Sequence, residues 1–238
     1  MTKNTVLFDL GGTLAHYYEM PEFPKRLQEC VDGVRNFLSK EGLLVVSQEE
    51  ISRKIREEDH EEKDYRIRPL EERLHRIFQL DATSFTEELA MNICRCFMKP
   101  IFARGYCYED TVPTLKELRS KGFKIGLVSN TSWGSPAILW REELDRLGLS
   151  RMVDGAVFCR DVGWRKPAKQ IFEFALQKFN TTPQDCVFVG DNPRWDLMGP
   201  EAVGIAAILI DRQGSVRDPK ALSIGNLHEL LGRLQFEL

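Results

Sequence analysis

The chain carries two hydrophobic rhythms. Short unbroken apolar runs lie at Thr5–Leu10, Lys124–Ser129, Ala156–Cys159, Cys186–Gly190 and Ala206–Ile210. Their length suits strands buried on both faces. Between the later runs the pattern reads as helix over Thr111–Lys121, Pro136–Leu147, Ala168–Phe179 and Trp195–Val203. Strand and helix alternating with short joins predict an α/β fold: a Rossmann-like, doubly wound parallel sheet covered on both faces.

Between the first two strands the alternation lapses. Here apolar residues recur only at helical spacing: Leu27, Val31 and Val34; Ile51 and Ile55; Leu70, Leu74 and Ile77; Leu89, Ile93 and Phe97. Each set makes one stripe of an amphipathic helix. Ser47-x-x-Glu50 reads as a capping box opening the second helix, and the charged run Glu57–Asp64 as a solvated face or turn. The expected organisation is an α/β core of residues 1–14 and 109–238, with an α-helical cap of residues 15–108 spliced in after the first strand. There are no internal repeats or low-complexity segments.

Composition narrows the classes. At 238 residues, 42% apolar and 29% charged, the sequence reads as a soluble globular protein with a sizeable core. The net charge of −3 is spread over mixed signs, so neither a nucleic-acid nor a membrane surface is expected. No apolar run approaches the roughly 20 residues of a membrane helix, and the N-terminal segment lacks the features of a signal peptide. The six cysteines (Cys30, Cys94, Cys96, Cys107, Cys159 and Cys186) include no CxxC pair. They predict neither a zinc site nor a disulfide framework, and a cytoplasmic setting follows. No heptad pattern stands out; monomer or weak homodimer is the expectation.

Chemistry enters where the strands end, the edge at which doubly wound sheets bind ligands. The first strand ends in Asp9-Leu10-Gly11-Gly12-Thr13, the second in Ser129-Asn130-Thr131, and the fourth in Gly190-Asp191-Asn192-Pro193-Arg194-Trp195-Asp196; Trp164-Arg165-Lys166-Pro167 precedes a helix. Phosphoryl transfer needs a nucleophile, neutralised phosphoryl oxygens, and a metal to screen a carboxylate from a dianion. Asp9 fits the nucleophile. Mg²⁺ between Asp9 and Asp191 removes the repulsion, Lys166 adds a fixed cation, and the Ser129 hydroxyl with backbone N–H groups holds the remaining oxygens. Gly11 and Gly12 let the backbone turn close to the phosphate.

In order and spacing, these segments resemble the four motifs of the haloacid-dehalogenase superfamily, from Val6 to about Arg212. The helical insertion is similar to that superfamily's type-1 cap. The resemblance implies a small phosphorylated metabolite as partner and Mg²⁺ as cofactor. Asp9 becomes nucleophile and metal ligand, with Asp191 and the Gly11 carbonyl as further ligands. Ser129, Asn130, Gly12 and Lys166 become phosphate-binding groups, and Asp196 orients Lys166 or a metal-bound water. One departure matters. The superfamily's phosphatases read D-x-D-G-T, and this chain has Gly11 where the second Asp acts as acid and base, a role worth about 10²–10⁴ in rate. Candidate substitutes are His16, Glu19 and His60, with His16 nearest the motif. Phosphonatases carry a small Ala there but need a cap lysine, for which Lys25, Lys40, Lys54 and Lys63 are available. Dehalogenase-like chemistry and a phosphate-ester binder with little turnover complete the alternatives.

Among other residues, Tyr17 and Tyr18 fit either the cleft or the hinge. Trp133 reads as a substrate contact and Trp140 as core. Trp164 and Arg165 fit a role in orienting Lys166. Arg66 and Arg68 are candidates for a second anionic group, and Asn192 reads as a turn residue or a ligand.

Overall fold

The computed structural model describes residues 3–58, 63–214 and 222–236. The chain opens with β1 (Thr5–Phe8), buried at every position. It leaves the core through β2 (Ala15–His16) and runs through four helices: α1 (Phe23–Lys40), α2 (Gln48–Glu57), α3 (Leu70–Phe78) and α4 (Glu87–Phe102). It returns through β3 (Tyr106–Cys107), which pairs antiparallel with β2. The remainder alternates: α5 (Thr111–Ser120), β4 (Lys124–Ser129), α6 (Ala137–Arg146), β5 (Gly155–Phe158), a short α7 (Cys159–Val162), α8 (Lys169–Lys178) and β6 (Cys186–Gly190). A π-helical turn at Pro193–Met198 then leads into α9 (Gly199–Glu201), β7 (Ala206–Ile210), β8 (Ser223–Ile224) and α10 (Leu230–Phe236).

The main sheet is parallel throughout, in the order β5-β4-β1-β6-β7-β8. Successive side chains of a strand face opposite sides, and the core divides accordingly. Val6 and Phe8 of β1 belong to one apolar cluster, which continues through Val31, Leu74 and Phe97 of the inserted helices. Leu7, with Val128, Val157 and Phe188, belongs to the cluster against α8. Each such large side chain contributes roughly 1.5–3 kcal/mol when fully buried.

Local signals start the inserted helices. Ser47 Oγ accepts from the Glu50 N–H at 3.2 Å at the head of α2, and Thr86 accepts from the Leu89 N–H at 3.1 Å at the head of α4. α1 and α3 both pack on α4. The segment before α3 is stitched to the core. Arg66 forms an antiparallel bridge with Trp164, the Ile67 N–H donates to the Gly163 carbonyl (3.0 Å), and the Arg165 N–H donates to the Tyr65 carbonyl (2.9 Å). Ion pairs also join α3 to α7 (Glu71–Arg160, 2.6 Å) and α4 to α6 (Arg95–Glu142).

Two features depart from the sequence reading. The helix expected over Trp195–Val203 starts two residues earlier, as the π-helical turn. Asn192 Oδ1 accepts from the N–H groups of Arg194 and Trp195, while Asp196 Oδ2 accepts from the Asn192 N–H (3.0 Å). A wide turn of this kind recurs at functional sites. The two-residue strands β2, β3 and β8 are too short for any periodicity to show. Among the described residues, no helix is long and apolar enough to cross a membrane.

Candidate active site

Parallel pairing brings the chemistry to one edge. Phe8 lies beside Leu127 of β4 and Val189 of β6, so the residues just beyond them emerge together at the carboxyl ends of the strands. Asp9 leaves β1 there, Ser129 ends β4, and Asp191 follows β6. Asp196 hangs from the π-helical turn. One oxygen from each of Asp9, Asp191 and Asp196 falls within 4.8 Å of the others.

Lys166 sits in the middle of this cluster, 1% exposed. Its ammonium donates to Asp9 Oδ1 and to Asp196 Oδ1, both at 2.6 Å, and lies over the Phe188 ring. Burial alone would lower the lysine's proton affinity, but Asp196 and Asp9 outweigh it and hold Lys166 charged. Its backbone is fixed as well: the Lys166 N–H donates to Asn130 Oδ1 (2.8 Å), and Asn130 Nδ2 donates back to the Lys166 carbonyl (3.3 Å). What the Asn130 side chain does here is hold the lysine loop against the end of β4.

The carboxylates titrate apart. Asp196 is pushed up to about 6, chiefly by burial, with Lys166 pulling it back. Asp191 is exposed at the cleft, with protein packed around its carboxylate on the remaining sides. That enclosure, with the charges of Asp9 and Asp196, raises it to about 8. Gly12 explains the close approach. Its φ is +79°, and a side chain there would run into the Asp191 carboxylate. The donor set is all hard oxygen and carries more negative charge than Lys166 neutralises, so it fits Mg²⁺.

The raised Asp191 value has a sign. Folded protein keeps a proton that the unfolded chain gives up between about pH 4 and pH 8, so metal-free stability falls as pH rises through that window. Mg²⁺ bound at this cluster would take the proton's place. It is therefore expected to raise the melting temperature more at pH 8 than at pH 5, and Asp191→Asn to flatten both dependences. Thermal melts with and without EDTA at the two pH values check this.

Above the carboxylates opens a cavity of about 950 Å³. Asp9, Gly11, Gly12, Ser129, Asn130, Lys166 and Asp191 line its floor; Tyr17, Tyr18, Glu19 and His16 line it near the exit of β1. His16 Nδ1 lies 3.4 Å from the Tyr108 hydroxyl and 3.8 Å from Glu19. Tyr17 is buried against Phe102 and Trp140, so it serves both hinge and cleft. Trp140 is buried, though it too reaches the cavity. Arg66 lies over Trp164 and Arg68 pairs with Asp64; neither lines the cavity. His60 lies outside the described residues.

Some groups at the site left no mark in the sequence. Arg212 lines the cavity and donates to the Thr13 carbonyl (2.8 Å) and to both oxygens of Asp110, which also accepts from the Leu227 N–H. Its guanidinium lies 3.8 Å from the centre of the Tyr108 ring. Arg73 comes from α3, buried, with its guanidinium over Trp133.

With this geometry in place, a family description, haloacid dehalogenase-like hydrolase, matches residues 3–204. The chain belongs to this family. Among curated haloacid dehalogenase-like relatives, a glyceraldehyde 3-phosphate phosphatase of Methanothermobacter thermautotrophicus is 36% identical over 44% of this chain and 45% of its own length. A second glyceraldehyde 3-phosphate phosphatase, from Methanopyrus kandleri, is 28% identical over 90% of this chain and 85% of its own. The chain thus spans less than half of the first relative and most of the second. Among solved structures, a 2-haloacid dehalogenase from Pseudomonas syringae superposes with a TM-score of 0.72 over 99% of both chains at 24% identity, a likeness of fold. Membership makes the six-stranded parallel sheet the family's Rossmann-like core.

Proposed function

We propose that this protein is a Mg²⁺-dependent phosphoric-monoester hydrolase acting on a small phosphorylated metabolite through an aspartyl-phosphate on Asp9. One observation carries the reading: Asp9 is held by the Lys166 ammonium at 2.6 Å with Asp191 and Asp196 gathered around it at the sheet edge. Relatives named as phosphatases over up to 90% of the chain support it.

Asp9, Asp191 and the Gly11 carbonyl would hold Mg²⁺, which supplies the charge neutralisation a carboxylate needs to approach a phosphate dianion. The chain's own groups do the rest. Lys166 fixes the Asp9 carboxylate and presents positive charge toward the phosphoryl oxygens, and Asp196 keeps that ammonium in place. Ser129 and the backbone N–H groups beyond the strands accommodate the other oxygens. Asp9 attacks phosphorus, the alcohol leaves, and water then cleaves the acyl phosphate. The helices of the insertion act as the cap that covers the cleft and excludes solvent.

The missing acid is the distinctive point. A Cβ on Gly11 would meet only the Tyr17 ring at 3.7 Å, ordinary van der Waals contact, and Gly11 is not in the left-handed region. A β-carbon is therefore accommodated at position 11 without strain. We assign the proton transfer to His16, which lines the cavity and has Nδ1 beside Tyr108. The phosphonatase reading loses support, because none of Lys25, Lys40, Lys54 and Lys63 lines the cavity among the described residues.

The test is hydrolysis of p-nitrophenyl phosphate and an unactivated alkyl phosphate, with Mg²⁺ and with EDTA. EDTA is expected to abolish turnover. His16→Gln is expected to slow the alkyl ester by about 10²-fold while sparing the nitrophenyl ester, whose leaving group needs no acid. Gly11→Asp is expected to restore the alkyl rate in that variant. Metal-independent turnover would sink the reading, and tight ester binding with no turnover in any variant would make the protein a binder.

A further inference from the structure

Beyond the phosphoryl pocket, the cavity is larger and more apolar than a three-carbon phosphate ester requires. At about 950 Å³ it lies near the upper end of the range for drug-sized ligands. Away from the carboxylates its walls include Tyr18, Phe23, Leu27, Ile55 and Trp133, all half-buried with part of their surface open to the cleft. Tyr18 and Phe23 pack ring to ring at 5.9 Å, so the exit of β1 and the head of α1 present one aromatic surface.

Trp133 is the unusual member. Its backbone lies at φ 52°, ψ 28°, a left-handed conformation that bulky residues avoid and that persists only where the surroundings enforce it. Here they do. The ring stacks on Phe97 of α4 at 5.6 Å with 26° between planes, and the Arg73 guanidinium lies 5.4 Å from its centre. The next residue, Gly134, also has positive φ, and a β-carbon there would collide with the Arg68 carbonyl. The loop that begins with Ser129 thus ends four residues later in a fixed indole that keeps part of its surface on the cleft.

We infer that the esters taken by this site carry a bulky, largely apolar alcohol with a planar face, seated against Trp133 and the Tyr18–Phe23 surface. This rests on the phosphomonoesterase reading above and names the leaving group that the reading leaves open. The competing recognition chemistry is a small ester with a second anion, since Arg56, Arg73, Arg165 and Arg212 also line the cavity.

A panel with leaving alcohols of similar basicity separates the two: ethyl, benzyl and 2-naphthylmethyl phosphate, with 3-phosphoglycerate as the small ester that carries a second anion. kcat and KM are measured with Mg²⁺, and affinities of the matching phosphonates are measured by calorimetry. Filling an apolar pocket discriminates by about 10-fold or more per group. The expected order is naphthylmethyl above benzyl above ethyl, at least about 10-fold across the series and carried by KM, with the phosphonates in the same order. Trp133→Ala is expected to collapse that ratio and Trp133→Phe to keep part of it. Ile55→Ser, on a separate helix, gives the same direction should the loop variants fail to fold. A flat series, or 3-phosphoglycerate as the best substrate, overturns the inference while leaving the hydrolase reading intact. Phosphonates bound in the expected order without hydrolysis of any ester would do the reverse.

Discussion

Lys166→Met is expected to lower the stability of the folded protein by about 3–5 kcal/mol, the cost of leaving buried charges without their partner. For a chain of this size that corresponds to a melting temperature lower by roughly 10 °C. The expectation rests on where the ammonium sits. It is 1% exposed and donates to Asp9, itself 7% exposed, and to Asp196, 1% exposed. Methionine fills a similar volume, so packing is conserved and the loss isolates charge. Without the ammonium Asp196, already raised by burial, loses the group that pulls it back and holds its proton to higher pH still. Folded protein then retains protons that unfolded protein releases, so the deficit grows as pH increases from about 5 to 8. Urea unfolding at both pH values checks size and sign together. A deficit independent of pH would show that Lys166 contributes packing alone.

Asp9→Asn is expected to behave in the opposite way in the two assays. Turnover of any phosphate ester falls by at least about 10³-fold, because an amide cannot form the acyl phosphate. Stability of the metal-free protein rises at pH 8, since one of three crowded carboxylates is gone and Asp191 no longer faces its charge. A catalytic residue whose removal stabilises the scaffold reports strain held for function. Retained turnover would move the nucleophile elsewhere. Unchanged stability would mean that the cluster is better solvated than its enclosure implies.

The parts legible in the sequence are those whose information is local. A buried parallel strand is a continuous apolar run, so β4, β6 and β7 lie where the pattern places them. The residues that close such runs sit at the ligand-binding edge, and the structure gathers Asp9, Ser129, Lys166, Asp191 and Asp196 there. What escaped depends on distance or on conformation. Arg212 meets the Thr13 carbonyl across 199 positions of chain, and a lone arginine after a strand gives no hint of that. Arg73 sits within an ordinary amphipathic helix, and burial of its guanidinium against Trp133 is set by how α3 docks. The left-handed Trp133 violates backbone preference outright, so a reading built on propensity predicts against it. The π-helical turn arises because Asp196 bonds back to the Asn192 N–H, a competition between side chain and backbone invisible in a hydrophobic pattern.

The seam between Tyr65–Ile67 and Gly163–Arg165 bears on how such proteins diversify. It ends one residue before Lys166, so the strip that fastens the inserted helices also braces the loop whose lysine holds Asp9. The insertion is therefore not a detachable module. A chimera that exchanged helices with a relative at the β1 exit and the β3 return alone would swap selectivity and loosen the lysine loop in one operation. Drift toward a new metabolite is easier by substitution on the faces of α1 and α2 that line the cleft, at Phe23, Leu27, Ile55 and Arg56. A successful graft must carry the strip and its core partner as a matched pair.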